Sequence, residues 1–161
     1  MAEENQQNAN APEQQFSIQK VYVKDVSFES PNAPTVFADG EWAPEVNLQI
    51  NTTHNSVGNN VQEVNLKITV TAKQNKKTAF LVEITQSGVF GITGFPPEQL
   101  AGMLGAFCPE TLFPFAREVI SDLVVKGGFP QLLLAPVNSN ALYTQHIQKQ
   151  QTAAATQDTT H

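Results

Sequence analysis

The stretch Val64-Asn65-Leu66-Lys67-Ile68-Thr69-Val70-Thr71 decides the fold class of this chain. Apolar and polar residues alternate strictly along it, which predicts a β-strand with one buried face and one face in contact with solvent. Residues 46–51 alternate in the same way, and Gly58-Asn59 between the two runs favours a hairpin. After a second turn at Asn75-Lys76-Lys77, the alternation resumes over residues 80–85.

An earlier strand is expected from Phe16 to Glu29, ahead of a Pro-Asn-Ala-Pro run at residues 31–34. Proline ends such a strand because it lacks an amide donor and restricts the residue before it. Strict alternation would place on one face Phe16, Ile18, Tyr22, Val26 and Phe28, and on the other Val21, Val23, Asp25 and Glu29. The first half of the chain therefore predicts four antiparallel strands in succession.

The second half of the chain changes to helical spacing. Apolar residues recur every three or four positions over residues 100–107, so a helix is expected to begin near Pro97. Cys108-Pro109 and Pro114 predict a kink or a break, because a proline deep in a helix removes a backbone hydrogen bond. A second apolar stripe over residues 115–124 predicts an amphipathic helix beyond that point.

Gly127-Gly128 supplies a C-terminal stop for this helix. Residues 129–137 are apolar but bracketed by prolines, which favours an apolar crossover loop over a helix or a central strand. Asn138 is a plausible N-cap for a last short helix that runs through Ile147. The fold class expected from these elements is α+β.

Both ends of the chain are polar and lack apolar periodicity. Residues 1–15 are rich in Gln, Asn, Glu and Ala, and residues 150–161 in Gln, Ala and Thr. Such segments cannot bury enough apolar surface to offset the entropy of ordering them. We therefore expect a disordered N-terminal arm, one domain over residues 16–149 and a disordered C-terminal tail.

The net charge of −6 is placed unevenly, because residues 1–63 hold nine acidic side chains and only two lysines. An acidic surface repels phosphates, so nucleic acid and anionic lipid are poor partners and a basic protein surface is a good one. The first seven residues lack the basic and apolar regions typical of a signal peptide, so none is expected, and no stretch approaches the length of a membrane span. Its single cysteine, Cys108, excludes an intramolecular disulfide, and these features together predict a cytoplasmic protein.

No catalytic, metal or cofactor site is expected. The three histidines, at positions 54, 146 and 161, lack the spacing of metal ligands, and no Ser or Cys constellation suggests a nucleophile. Cys108 precedes a proline in an apolar context, which favours a buried structural thiol.

Four blocks of the sequence carry distinctive motifs. They are residues 21–34 with the Pro-Asn-Ala-Pro run, Trp-Ala-Pro-Glu-Val at 42–46, residues 105–118 beginning Gly-Ala-Phe-Cys-Pro, and residues 129–138 beginning Phe-Pro-Gln-Leu. Together these blocks resemble the SecB family of protein-export chaperones. Their order and spacing are similar to those of the family over residues 16–148. The resemblance implies a four-stranded antiparallel sheet with helices packed on one face, assembled as a dimer of dimers. It also implies an ATP-independent holding chaperone for unfolded secretory preproteins, with the SecA ATPase motor as partner and no cofactor.

A holding chaperone needs apolar surface that faces water in its free state, and aromatic walls tolerate varied clients. The loop around Trp42 and the crossover loop place surplus apolar residues outside regular elements. With the resemblance, they predict a client groove lined by Phe37, Trp42, Leu48, Leu132, Leu133, Pro136, Val137 and Leu142. The alternative is that these residues are ordinary core. Ser139 departs from the family pattern, which commonly has an aromatic residue at this position.

The resemblance also implies a docking site for the motor at Asp25, Glu29, Leu81 and Glu83. Asp25 and Glu29 are four residues apart in a strand and therefore share a face, as do Leu81 and Glu83. A flat acidic surface of this kind would suit a basic segment of the partner. The alternative is a solvated strand face without a partner.

Two further sets are candidates for the contacts between subunits. They are Val82, Ile84 and Gln86 on one strand and Ala116, Ile120 and Leu123 on the long helix. Either set could instead belong to the core of a single subunit. A rival function for the whole chain is an adaptor domain that uses the apolar loop to bind one fixed partner.

Overall fold

Four long antiparallel strands form one sheet in the computed structural model, which describes residues 12–157. The strands are β1 (Gln15–Glu29), β2 (Glu45–Gly58), β3 (Val61–Gln74) and β4 (Lys77–Thr93). Their order across the sheet is β1-β4-β3-β2, so β1 and β2 are the two edges. Residues 30–44 connect β1 at one edge to β2 at the other, and they include a short 3-10 helix at Thr35–Ala38. The prediction of four antiparallel strands is confirmed.

Tight turns join β2 to β3 and β3 to β4. The backbone is left-handed at Asn60, with φ of 57°, and at both Asn75 and Lys76, with φ of 51° and 65°. At Asn75-Lys76 the positive φ of both central residues matches the twist of the flanking strands, whereas at Asn59-Asn60 only Asn60 has positive φ. The first hairpin turn lies at Asn59-Asn60, one residue after the predicted pair.

Side chains of β3 and β4 alternate between the core and the opposite face, as their sequence predicts. Those that face the core are almost fully buried: Val64, Leu66, Ile68, Val70, Phe80, Val82, Ile84 and Phe90. Burial of this continuous apolar layer provides the main stabilisation of the sheet.

Strand β1 departs from the strict alternation predicted for it. Its register against β4 shifts between Ile18 and Lys20 and again between Val23 and Asp25, and each shift leaves one extra residue in β1. A bulge of one residue reverses the side to which later side chains point. The prediction was therefore wrong for Val21 and Val23, which lie on the core side opposite Gly88 and Gln86, and for Tyr22, which lies on the other side.

A long helical segment follows the sheet without the predicted break. It consists of α1 (Pro97–Gly102), a π-turn (Met103–Phe107) and α2 (Cys108–Lys126). The amide of Cys108 donates to the carbonyl of Met103, five residues earlier, and backbone angles remain helical. The irregularity expected at Cys108-Pro109 is this wider turn, and α2 continues through Pro114.

Helix α2 packs across β4 and β3 on one face of the sheet. Its buried side includes Leu112, Ala116, Ile120 and Val124. Cys108 lies in the same core, and burial raises the pKa of its thiol to about 12. This cysteine is therefore a protonated structural side chain at neutral pH.

The last helix, α3, extends over Ser139–Gln157 and is longer than predicted. Asn138 caps it as expected, because its Oδ1 accepts a hydrogen bond of 3.0 Å from the amide of Ala141. Residues 150–157, predicted to begin a disordered tail, continue this helix, since Gln and Ala are good helix formers. Residues 1–11 of the predicted arm and 158–161 of the tail lie outside the described residues. Within residues 12–157 no helix has the length and hydropathy that a membrane span requires.

Candidate functional site

The predicted client groove maps to the core-side face of the edge strand β2, where exposed apolar side chains lie between an aromatic cluster and two cavities beside helix α3. Its first end is an aromatic cluster in which the Phe129 ring lies 5.1 Å from Phe37, 5.3 Å from Trp42 and 5.0 Å from Phe80 between ring centroids. Trp42 also stacks on Phe80 at 6.4 Å. The first residue of the crossover loop, Phe129, therefore packs against the loop that carries Trp42.

Gln74 positions this end of the groove. Its amide nitrogen donates to the carbonyl of Glu41 at 2.7 Å, and its amide oxygen accepts from the backbone of Ala43 at 3.2 Å. These two bonds hold the backbone on both sides of Trp42, while Gln74 itself is buried. A buried amide with both groups paired fixes a loop firmly.

The other end of the groove lies under α3. Val137 and Leu142 meet Ile50 and Thr52 of β2 around a narrow cavity of about 30 Å³. A larger cavity of about 470 Å³ continues from there between β2 and α3, and its lining includes His54, Tyr143, His146 and Ile147.

The strand register joins the two ends. Val46 pairs with Ala72, which pairs with Phe80 of the aromatic cluster, whereas Thr52 pairs with Leu66 at the α3 end. Six residues of strand span about 20 Å. The exposed side chains of Val46 and Leu48 lie along this path.

All eight residues predicted to line the groove retain solvent exposure in the single chain. Leu133 is 68% exposed and Phe37 51% exposed, which is unusual for large apolar side chains. Phe37 and Trp42 come together at the aromatic end, Val137 and Leu142 at the α3 end, and Leu48 lies between. Trp42, Leu132 and Val137 also pack on the core, whereas Leu133 and Pro136 are exposed on the loop.

Sequence reasoning missed several parts of this groove. Phe129, Gln74 and Ile50 were not singled out, although Ile50 belongs to a visible alternating run. The open edge of β2 was also missed, and its part along the groove, residues 46–54, carries neither proline nor a charged Asp, Glu, Lys or Arg side chain. Edge strands are usually protected by such residues, so this edge can pair with another extended chain.

The opposite face of the sheet carries the four residues predicted to dock the motor. The register places Asp25 opposite Thr85, Ser27 opposite Glu83, and Glu29 opposite Leu81. These positions form successive rows on the face away from the helices, here called the outer face. Asp25 and Glu29 share this face as expected, but Val21 and Val23 do not lie beside them.

The outer face is mixed in charge, unlike the flat acidic surface that was expected. Lys67 Nζ lies 2.9 Å from Glu83 Oε1, and Lys24 Nζ lies 2.8 Å from Glu63 Oε1. Both lysines border a cavity of about 260 Å³ together with Asp25. Acidic and basic side chains therefore alternate across this surface.

Glu63 is the centre of a polar network on the outer face. Its carboxylate accepts hydrogen bonds from Tyr22 and Lys24 of β1 and from Asn65 of β3. The hydrogen bonds from Lys24 and Tyr22 lower the pKa of this carboxyl from 4.5 to about 2. Burial and the bond to Glu63 raise the pKa of Tyr22 to about 12.

Most residues predicted for subunit contacts lie in the core of the single chain. Val82, Ile84, Ala116 and Ile120 have no exposed surface, Gln86 is buried, and Leu123 is half-buried. Their burial favours the alternative stated above, an intrasubunit core. Gln86 donates to the carbonyl of Tyr22 at 3.1 Å, but its buried Oε1 has no hydrogen-bond partner among residues 12–157.

Exposed apolar side chains lie instead on the core-side face of β1. Ile18, Val23 and Val26 are between 43% and 50% exposed, because α2 packs on β4 and β3 and leaves this edge uncovered. Phe115 and Val125 of α2 are also exposed. Exposed apolar side chains that recur along one strand in this way are typical of interaction surfaces.

Within the described part of the chain, no three His, Cys, Asp or Glu side chains gather in a way that could hold a metal ion.

Comparison with known proteins assigns a family. Residues 7–150 match the family described as preprotein translocase subunit SecB. The chain is 55% identical over 159 residues to a protein-export protein SecB of Nitrosococcus oceani, covering 96% of this chain and 97% of that one. It is 54% identical over 155 residues to a protein-export protein SecB of Marinobacter nauticus, covering 94% and 93% of the two chains.

A solved structure shares the fold. The Mycobacterium tuberculosis Rv1957 SecB-like chaperone, in complex with a ChAD peptide from the Rv1956 HigA1 antitoxin, aligns with a TM-score of 0.64. The sequence identity is 16%, and the alignment covers 76% of this chain and 90% of that chain.

Proposed function

This chain belongs to the SecB family of protein-export chaperones, and we propose that it is a cytoplasmic, ATP-independent holding chaperone for unfolded secretory preproteins. In this proposal the chain keeps its clients competent for translocation and delivers them to the SecA motor of the Sec translocase. It works as a homotetramer, a dimer of dimers, and not as an enzyme.

The exposed apolar side chains along β2 and on the crossover loop are the observation that carries this proposal. A client segment would place its apolar side chains against Phe37, Trp42 and Leu48 and under the crossover loop, with Leu132, Leu133, Pro136, Val137 and Leu142 as the remaining lining. Aromatic and aliphatic walls select for apolar content and not for a particular sequence. Breadth of this kind is what a holding chaperone requires.

The open edge of β2 supplies a second kind of contact in this proposal. An extended client would add its backbone amides and carbonyls to this edge by strand pairing. Every unfolded chain offers these groups, whatever its sequence. The edge and the groove together favour unfolded over folded clients, because a folded protein has already paired its backbone and buried its apolar side chains. The SecB-like structural relative was likewise solved in complex with a peptide.

Motor docking is proposed for the outer face at Asp25, Glu29, Leu81 and Glu83. The face lies on the side of the sheet opposite the groove, so client and motor could bind the same chain together. Exposed carboxylates would attract a basic segment of the motor and act mainly on its rate of encounter and its selectivity.

Assembly is proposed to use the exposed core-side face and the open edge of β1. Ile18, Val23 and Val26 would then be covered by a second chain. The residues first considered for subunit contacts would support this surface from the core of each subunit. They are Val82, Ile84, Gln86, Ala116, Ile120 and Leu123.

The holding function is tested by the aggregation of several unrelated, chemically denatured proteins after dilution, at a stoichiometric concentration of this chain. We expect the wild-type protein to suppress aggregation of all of them. The double variant Leu48→Asp with Leu133→Asp should lose most of this suppression. Its affinity for the unfolded clients should fall at least about tenfold, because each substitution removes apolar area from the groove.

Val57→Asp is the matched control, since Val57 is 51% exposed on the same strand β2 but near its far turn. It should keep the activity. Failure of the wild-type protein with every client would refute the holding function. Binding of a single partner only would instead support the rival function, an adaptor domain.

A further inference from the structure

Lys67 lies in the middle of the outer face, among the carboxylates proposed for docking. Along one row of the sheet the register places Asp25, Thr85 and Lys67 side by side on β1, β4 and β3. Neighbouring strands are about 4.8 Å apart, so the backbones of Asp25 and Lys67 are about 10 Å apart. Both side chains border the same cavity of about 260 Å³.

The three docking carboxylates differ in their partners. Glu83 is already occupied, because Lys67 Nζ lies 2.9 Å from its Oε1 and the hydroxyl of Thr69 lies 3.5 Å from its Oε2. Within residues 12–157, the carboxylates of Asp25 and Glu29 form no ion pair and no hydrogen bond with another side chain. Lys67, a cation of the chain itself, is therefore already bound to one of the three docking carboxylates, Glu83.

The ion pair of Lys67 and Glu83 is open to exchange. The side chains are 48% and 34% exposed, and ion pairs this accessible to water are weak. An incoming ammonium or guanidinium group can thus replace Lys67 at Glu83. The displaced Lys67 would then stay beside the new cation and repel it.

From this geometry we propose that Lys67 is a specificity-determining residue of the docking face, which competes with the cationic segment of the motor for Glu83. The inference rests on the proposed docking function. It follows that only a partner able to displace Lys67 gains the contact with Glu83. Lys67 therefore weakens the binding of unrelated cationic chains to this face.

Lys67→Gln tests this inference, since it removes the charge and keeps most of the side-chain stem. In titration calorimetry of the assembled full-length protein with purified SecA at low ionic strength, we expect binding about 2- to 5-fold tighter than wild type. Lys73→Gln is the matched control. Lys73 is exposed on the same face of β3, and no ion pair within residues 12–157 involves it, so this variant changes net charge equally without releasing Glu83.

Glu83→Gln completes the test. We expect it to weaken SecA binding, and we expect Lys67→Gln to bring no gain when Glu83→Gln is already present. Equal effects of Lys67→Gln and Lys73→Gln, or weaker binding by Lys67→Gln, would overturn the inference while Glu83→Gln still supports docking. If wild-type protein does not bind SecA, or if Glu83→Gln leaves binding unchanged, the proposed docking site itself is refuted.

Discussion

Glu63 shows how a single residue secures an edge strand. It lies on β3, yet Tyr22 and Lys24, which bind its carboxylate, lie on β1 on the far side of β4. The hydroxyl of Ser87 donates a hydrogen bond of 2.6 Å to Asn65. This bond includes β4, the strand between β1 and β3, in the same network. Hydrogen bonds to a charged group in a partly buried site are stronger than neutral ones. The network therefore ties the edge strand β1 to the centre of the sheet.

Glu63→Gln should make the protein less stable at pH 7 by about 1.5–3 kcal/mol, the range for hydrogen bonds to a charged group. The folded pKa of about 2 lies below the ordinary value of 4.5, so the carboxylate stabilises the fold fully above pH 4.5. That contribution falls as the pH drops from 4.5 towards 2. The difference between wild type and variant, measured by urea unfolding, should therefore shrink over this interval.

Glu45→Gln is the control for this prediction. Glu45 is exposed at the start of β2 and its side chain forms no hydrogen bond or ion pair within residues 12–157. It should change stability by less than about 0.5 kcal/mol. A stability difference for Glu63→Gln that stays constant between pH 7 and pH 3 would show that its carboxylate is not the stabilising group.

Helix α3 depends at the element scale on one glycine of the π-turn. A Cβ atom at Gly105 would lie closer than 3.0 Å to the ring of Tyr143, so the ring packs directly on the glycine backbone. The contacts of α3 with other elements are mainly to this π-turn. The wall of the groove formed by Leu142, Tyr143 and Ile147 is therefore positioned through Gly105.

Gly105→Ala should displace α3 from the π-turn, because the added methyl group and the Tyr143 ring cannot occupy the same space. Hydrogen exchange measured by mass spectrometry should show faster exchange of the α3 amides and little change in β3 and β4. Gly102→Ala is the control, since a Cβ at Gly102 meets no atom within 4 Å. Unchanged protection of α3 in Gly105→Ala would contradict this account of its docking.

The two edges of the sheet differ at the scale of the whole molecule. Edge β2 borders the groove and is left for clients in the proposed function. Edge β1 carries the exposed side chains Ile18, Val23 and Val26 on a face that α2 does not cover. A small monomer rarely leaves such a strip in water, and covering it in an assembly stabilises the association.

Val23→Asp with Val26→Asp should lower the mass of the assembly, because two buried and unpaired carboxylates would oppose association. Light scattering on the wild-type protein should give about four times the 17.5 kDa of one chain, and the variant should give a smaller mass. Val57→Asp, on the other edge strand, should leave the mass unchanged. A wild-type monomer, or a double variant with full mass, would refute assembly through β1.

Local patterns in the sequence determined much of this protein. The alternation in β3 and β4, the Asn-containing turns and the Asn138 cap depend on residues close together in the chain, so they were predictable from it. The family blocks likewise predicted the four-stranded sheet with helices. The π-turn before Pro109 and the full length of α3 were not predicted. A local pattern can indicate that a helix is irregular or ends weakly, but it does not determine the geometry of the irregular turn or the residue at which the helix ends.

Only the tertiary structure decided which face each β1 residue occupies, because that depends on bulges set by pairing with β4. It also decided that Phe129 joins Phe37 and Trp42 across about 90 residues of chain, and that Lys67 occupies Glu83. The physical reason is the same in each case. Periodicity reports the geometry of neighbours along the chain, whereas a groove wall or an exchangeable ion pair exists only between residues that folding brings together.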